Sequence, residues 1–226
     1  MKWALFFKAG FIWCIGFWYN QAGAQSIGGY LPDPIIKSDK FLFYLHGQVV
    51  TELGNNAINQ AAPEWGPYEY LNILDSLRSQ GFNVISEIRL KGIDNQFYVD
   101  KISAQIDSLL RGGVHSEQII VLGASAGWDI TLRVSSRLKN SLIRYVIMGG
   151  CWPQTYKDYE QLALYGRFLS IIEKSDPHGT CYKIFERPVK TFTFKEITLN
   201  TGLSHGFICK GDRAWIDPVV EFFLGK

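Results

Sequence analysis

The sequence has no internal repeat, no low-complexity segment and no composition break that would mark an interior linker. A repeat array is thereby excluded, and 226 residues suit one large-sheet domain better than two. Charged residues are sparse at 19% against 47% hydrophobic, which excludes long disorder and demands a substantial buried core. No apolar run approaches the ~20 residues that a bilayer-spanning helix needs. Histidine and cysteine are scarce, four of each, so any chemistry that needs them has few candidates. Aromatic residues are plentiful at 15%, with part of the excess in the first twenty positions.

Those first positions have the pattern of an export signal. Lys2 supplies a positive start, and residues 9–19 form a short uncharged apolar stretch. Ala22-Gly23-Ala24 then offers the small side chains that a signal peptidase accepts, so cleavage is expected after Ala24. Lys8 interrupts the apolar run and argues against a retained anchor, and the residues before Cys14 do not fit a lipoprotein signal. The expected mature chain is a single domain, 25–226, exported to the periplasm or beyond the cell, with a bacterial source implied. Cleavage would remove Lys2 and Lys8 and no acid, so 23 basic residues become 21, equal to the 21 acidic ones. A neutral chain gives no reason to expect nucleic acid or an anionic membrane as partner, or stable membrane insertion after cleavage. Of the remaining Cys151, Cys181 and Cys209, at least one must lie outside any internal disulfide; Cys151 with Cys181 is the preferred pair.

Periodicity alternates strand and helix. Apolar strands are expected at 41–45, 82–90, 118–122, 143–148, 168–172 and 191–199, with helices at 68–80, 98–110, 126–138 and 215–223. The stretch 151–166 is aromatic and partly helical in pattern. Such alternation predicts an α/β fold: a mostly parallel central sheet with helices on both faces and right-handed crossovers. Ligands bind such sheets beyond the carboxyl ends of the strands.

Beyond the strand at 118–122 stands Gly123-Ala124-Ser125-Ala126-Gly127, a G-x-S-x-G pattern between strand and helix. A nucleophile there sits on a strained turn, where small neighbours let the backbone fold tightly and expose the hydroxyl. Serine needs a base and an orienting acid. His205 lies beyond the strand at 191–199, at the same sheet edge. His178 lies in a loop, His115 precedes a strand, and His46 follows the first strand. Asp176 is the preferred acid beyond the strand at 168–172, with Glu173 its rival and a turn-starting role before Pro177 the alternative reading. Oxyanion donors are expected from the backbone N–H groups of Ala126 and Gln48. Gly47 lets the chain turn at His46-Gly47-Gln48, and His46 orients that loop rather than reacting.

Ser125, Asp176 and His205, in that chain order and with that elbow, resemble the α/β-hydrolase superfamily over about residues 40–223. The resemblance implies that family's fold, a Ser-His-Asp triad, acyl transfer, and no metal or organic cofactor. It departs from the common pattern in three ways, one being the loop His46-Gly47-Gln48 in place of His-Gly-Gly-Gly, which argues against the lipase and esterase subgroup bearing that glycine run. The usual antiparallel strands before residue 41 are missing or very short, and no large cap domain fits between 148 and 168. Trp152, Tyr156, Tyr159 and Tyr165 would form either a short lid or packing on the sheet, and Trp128 would either crowd the site or shape an acyl pocket. The expected activity is hydrolysis of small carboxylic esters. A peptidase or amidase, and a binding protein that kept the fold without the chemistry, are the alternatives. Oligomeric state is not legible.

Overall fold

The computed structural model describes residues 28–58, 65–187 and 191–226; the expected leader, 1–24, lies outside them. In chain order, the elements that frame the site begin with strand β1 (Lys40–Leu45), helix α1 (Gln48–Leu53), helix α2 (Tyr70–Ser79) and strand β2 (Phe82–Ile85). Helix α3 (Asn95–Arg111), strand β3 (Ile119–Ala124), helix α4 (Gly127–Leu138) and strand β4 (Arg144–Met148) follow. Strand β5 (Tyr165–Glu173), helix α5 (Tyr182–Phe185), strand β6 (Thr191–Leu199) and helix α6 (Arg213–Phe223) complete the described chain.

The six strands form one sheet in the order β2-β1-β3-β4-β5-β6, and every pairing is parallel. Successive strand residues point to opposite faces, so each strand feeds two cores. Phe41, Phe43, Val121, Tyr145 and Ile147 pack with α3 and α4 on one face. Leu42, Tyr44, Leu122, Val146 and Met148 pack with α2 and α6 on the other. Central strands buried on both faces read as unbroken apolar runs, which is why β3 was so plain in the sequence.

The strand expected at 82–90 stops at Ile85. Its neighbour β1 pairs with it from Lys40 opposite Phe82 as far as Phe43 opposite Ile85. Beyond that point the Ser86 hydroxyl donates to the Tyr44 carbonyl at 2.7 Å, and the chain peels away. Strand β5 is longer than expected because β6 pairs with it from Tyr165 through Glu173. The stretch between β4 and β5 holds only a 3-10 turn, Pro153–Tyr159, and among the described residues no antiparallel strand precedes β1. Helix α1 was not foreseen. Cys151 and Cys181 form a disulfide that ties the end of β4 to the start of α5, and Cys209 is free and buried.

Sheet order reverses at β1: β2 lies on one side of it, and β3 and the later strands lie on the other. A crevice forms at such a switch point, between loops that leave adjacent strands in opposite directions. The His46-Gly47-Gln48 loop follows β1 and the Ser125 turn follows β3, so both open onto that crevice.

Candidate active site

Ser125 sits on the turn from β3 to α4 with φ of 46°, a left-handed backbone that a non-glycine residue adopts at a cost of about 1 kcal/mol or more. The surroundings hold it there. Its N–H donates to the Met148 carbonyl of β4 at 2.8 Å, and its carbonyl accepts from Trp128 N–H at 2.9 Å. The flanking glycines are required by contact. A Cβ on Gly123 would lie 2.4 Å from the Gly127 carbonyl oxygen, and one on Gly127 would lie 2.3 Å from that of Leu45. The G-x-S-x-G pattern is thus the sequence trace of a helix and two strands converging on one turn. Gly47 comes within van der Waals reach of the serine as well, since a Cβ there would sit 3.3 Å from the Ser125 Cβ.

His205 enters from the 3-10 turn Ser204–Cys209 that follows β6, and Asp176 from the loop after β5. His205 Nε2 lies 3.0 Å from Ser125 Oγ, and its Nδ1 lies 2.6 Å from Asp176 Oδ2. A carboxylate can only accept, so Nδ1 carries the proton and Nε2 accepts from the serine hydroxyl. All three residues are buried, with Ser125 the most open with Asp176 at 8% exposure. Gly149 makes room for the ring: a Cβ there would stand 2.9 Å from His205 Cε1.

Burial pushes the Asp176 carboxyl up, but hydrogen bonds from His205 and His178 outweigh it and hold the group down at about 2. His178 is the partner that sequence reasoning passed over as a loop residue. Both its Nδ1, at 2.6 Å, and its backbone N–H, at 3.0 Å, donate to Asp176 Oδ1. Asp176 therefore bridges two imidazoles, and Trp152 lies against the outer one with ring centroids 5.5 Å apart. The only sequence signal was the two-residue spacing Asp-x-His, which a local turn also produces. The three groups have ligand atoms within 4.8 Å of one another, a set able to hold a metal, but both Nδ1–H groups are engaged by the carboxylate.

Glu173, the rival acid, is placed elsewhere. It accepts from Thr201 N–H at 2.9 Å, from the Thr201 hydroxyl at 2.8 Å and from the Ser175 hydroxyl at 3.1 Å. Burial raises its pKa and these donors lower it, with a net depression. It fastens the loop that carries His205 to the loop that carries Asp176.

The acid-side electrostatics give a stability prediction. Asp176 has a folded pKa below its unfolded one, so its contribution is complete above the unfolded value near 4 and is lost as pH falls toward 2. Roughly 2 kcal/mol of unfolding free energy should disappear across that window. Urea unfolding between pH 2 and 6 checks this: Asp176→Asn should show a shallower loss than wild type, and parallel curves would contradict it.

On the other side of Ser125, the His46 ring is fully buried. Burial and the nearby Arg89 guanidinium push its pKa down to about 3, so it is neutral. Its Nε2 accepts from Arg89 N–H at 2.9 Å, which leaves Nδ1 to donate to the Gly47 carbonyl at 2.8 Å. Arg89 Nη2 donates in turn to the His46 carbonyl at 2.6 Å. These bonds fix the loop that ends at Gln48, the first residue of α1. Gln48 and Ala126 border one shared cleft of about 180 Å³.

The aromatic residues divide. Trp128 is fully buried in the core, 4.4 Å from Tyr159 between ring centroids, and so packs beneath the turn. Trp152 is half-buried beside His178, with its indole N–H directed to the Gly149 carbonyl at 3.3 Å. Tyr156 donates to the Thr180 carbonyl at 2.9 Å, fastening the Pro153–Tyr159 turn to the loop before α5. Tyr165 belongs to β5.

No family model and no curated protein matches the sequence. Solved structures do match in shape. ATU1826 from Agrobacterium tumefaciens, a protein of unknown function provisionally assigned to the α/β hydrolases, aligns with a TM-score of 0.56 at 18% identity, over 87% of this chain and 91% of that one. Est1E from Butyrivibrio proteoclasticus aligns at 0.54 and 11% identity, over 86% of this chain and 90% of that one. An esterase/lipase from an uncultured bacterium aligns at 0.53 and 12% identity, over 85% and 78%. At such identities the likeness speaks for architecture alone. The parallel sheet, its reversal at β1 and the serine turn after β3 together identify the architecture: this chain has the α/β-hydrolase fold.

Proposed function

We propose that the protein is a serine hydrolase that cleaves short carboxylic esters through an acyl-enzyme. The observation that carries this reading is the unbroken hydrogen-bond chain from Ser125 Oγ through His205 to Asp176. In it Ser125 attacks the ester carbonyl as His205 Nε2 takes its proton, and Asp176 steadies the imidazolium that forms. The N–H groups of Gln48 and Ala126 receive the oxyanion, each such donor being worth about 3–4 kcal/mol in the transition state. His205 then protonates the departing alcohol, and water releases the acid in a second, mirrored step. The cleft of about 180 Å³ that those two residues border suits a short acyl chain. The Cys151–Cys181 disulfide supports export to an oxidising compartment as part of the same proposal.

A panel of 4-nitrophenyl esters from two to ten carbons, with the matching anilides, tests the reading. Turnover should be highest for the short esters and negligible for the anilides. Folded protein that cleaves none of the esters, or that prefers the anilides, would sink it.

A further inference from the structure

Arg89 is a buried cation with no counter-charge among the described residues. It is 4% exposed, and among the described residues no carboxylate lies within ion-pair distance of it. The ionisable side chains that face it are the hydroxyls of Tyr44, Tyr68, Tyr70 and Tyr98, besides the neutral His46. Its Nη2 is used by the His46 carbonyl, but its Nη1 is buried with no hydrogen-bond partner among the described residues. A guanidinium stays protonated under ordinary conditions, and a buried charge normally has a partner. Leaving a charged donor unpaired costs more than leaving a neutral one unpaired.

The same residue borders the cleft that Gln48 and Ala126 share. Leu90, Ile93 and Tyr98 supply apolar wall, and the one acid lining it, Glu52, is ion-paired with Lys91 at 2.5 Å. No residue of the loops that carry His205 and Asp176 borders this cleft. The alcohol must leave beside His205 to receive its proton, which leaves a cleft bordered by Gln48 and Ala126 for the acyl portion.

We infer that this cleft is an acyl subsite for a short chain ending in a carboxylate, with Arg89 as the group that recognises that carboxylate. The inference rests on the ester-hydrolase reading and names its substrate class: half-esters of short dicarboxylic acids. Ser125 Oγ bonds to the ester carbonyl carbon and the carbon–alkoxy bond breaks. The alcohol departs with the proton held by His205, and one water cleaves the acyl-serine to free dicarboxylic acid. Arg89 takes no part in those bond changes. Its fork of N–H donors matches a carboxylate, and the apolar wall accommodates the methylenes between the two ends.

The test compares two 4-nitrophenyl esters of equal length, the mono-ester of glutaric acid and the same compound with its free carboxyl methylated. Wild type should favour the anionic ester by ten-fold or more in kcat/KM. Arg89→Gln should lose that preference and Arg89→Lys should keep part of it. Arg89 also supports the His46 loop, so a second measurement keeps its side chain intact. The thermal midpoint of Ser125→Ala should rise with millimolar glutarate and stay put with glutaramide. Equal or better turnover of the methylated ester by wild type would overturn the inference while leaving ester hydrolysis standing. A preference that survives in folded Arg89→Gln would overturn it too, as would a Ser125→Ala midpoint indifferent to glutarate. Stabilisation by glutarate with no ester cleaved at all would uphold the carboxylate subsite and remove the hydrolase reading instead.

Discussion

Replacing Ser125 with alanine should lower turnover of a short ester by about a millionfold, to the level that binding and the oxyanion donors alone sustain. His205→Ala should cost nearly as much, and the double variant hardly more than either. The reason is mechanical. His205 has its Nε2 on the serine oxygen and its Nδ1 on Asp176, so each group matters only through the next. Losses that multiplied instead would mean that the two residues act independently. Asp176→Ala should cost about ten-thousandfold, since the ring would lose the partner that sets its tautomer. Steady-state kinetics at saturating substrate reads all four, and melting curves establish that each variant is folded. Ser125 and His205 supply little apolar burial, so their midpoints should move little beside the kinetic losses, whereas Asp176→Ala should also lose the roughly 2 kcal/mol that the paired carboxylate contributes.

Gly149→Ala should cost roughly a hundredfold in kcat with little change in KM. The glycine has φ of 55°, and an added methyl would stand 2.9 Å from His205 Cε1 and 3.2 Å from Nδ1. Real Cβ contacts are not so close, so the imidazole must move, and it has few places to go. Trp65 lies 5.5 Å from it and the His178 ring 4.4 Å, both between ring centroids. Displacement by something near 1 Å is enough to lose about a hundredfold when a proton must pass along a 3.0 Å hydrogen bond. The strain of alanine in a left-handed conformation adds about 1–2 kcal/mol of instability. A fall in kcat with KM and fold retained is the signature of a displaced base. Unchanged kcat in a folded variant would mean that the loop yields instead of the ring.

The parts of this design that were legible in the sequence share a cause. Strands β1, β3 and β4 are covered on both faces, so each is an apolar run. A Cβ at 123 or 127 would fall within 2.5 Å of a backbone carbonyl oxygen, which leaves an imprint in residue type. Ser125, Asp176 and His205 follow strand ends, and strand ends can be read from periodicity. What was not legible depends on meetings across the chain. Whether Asp176 or Glu173 would face His205 turned on a three-residue difference in a loop. The structure gives Glu173 to Thr201 and Ser175 instead. His178 joins Asp176 only because the loop folds back, and Trp128 packs inward because Tyr159 meets it there. The early end of β2 follows from where β1 stops pairing, and no local pattern encodes that. Arg89 carried no signal either: it lay inside the segment expected to be strand, and its lack of a counter-charge among the described residues is a property of the folded neighbourhood.

The central claim is an activated serine at position 125, and covalent labelling tests it most directly. The purified chain is treated with a fluorophosphonate, and the modified residue is located by peptide mass spectrometry. Heat-denatured protein, Ser125→Ala and His205→Ala serve as controls. The account predicts rapid, single-site labelling of Ser125 in folded wild type and essentially none in the three controls. Folded wild type that labels no faster than the denatured chain, or that labels at another residue, would contradict it.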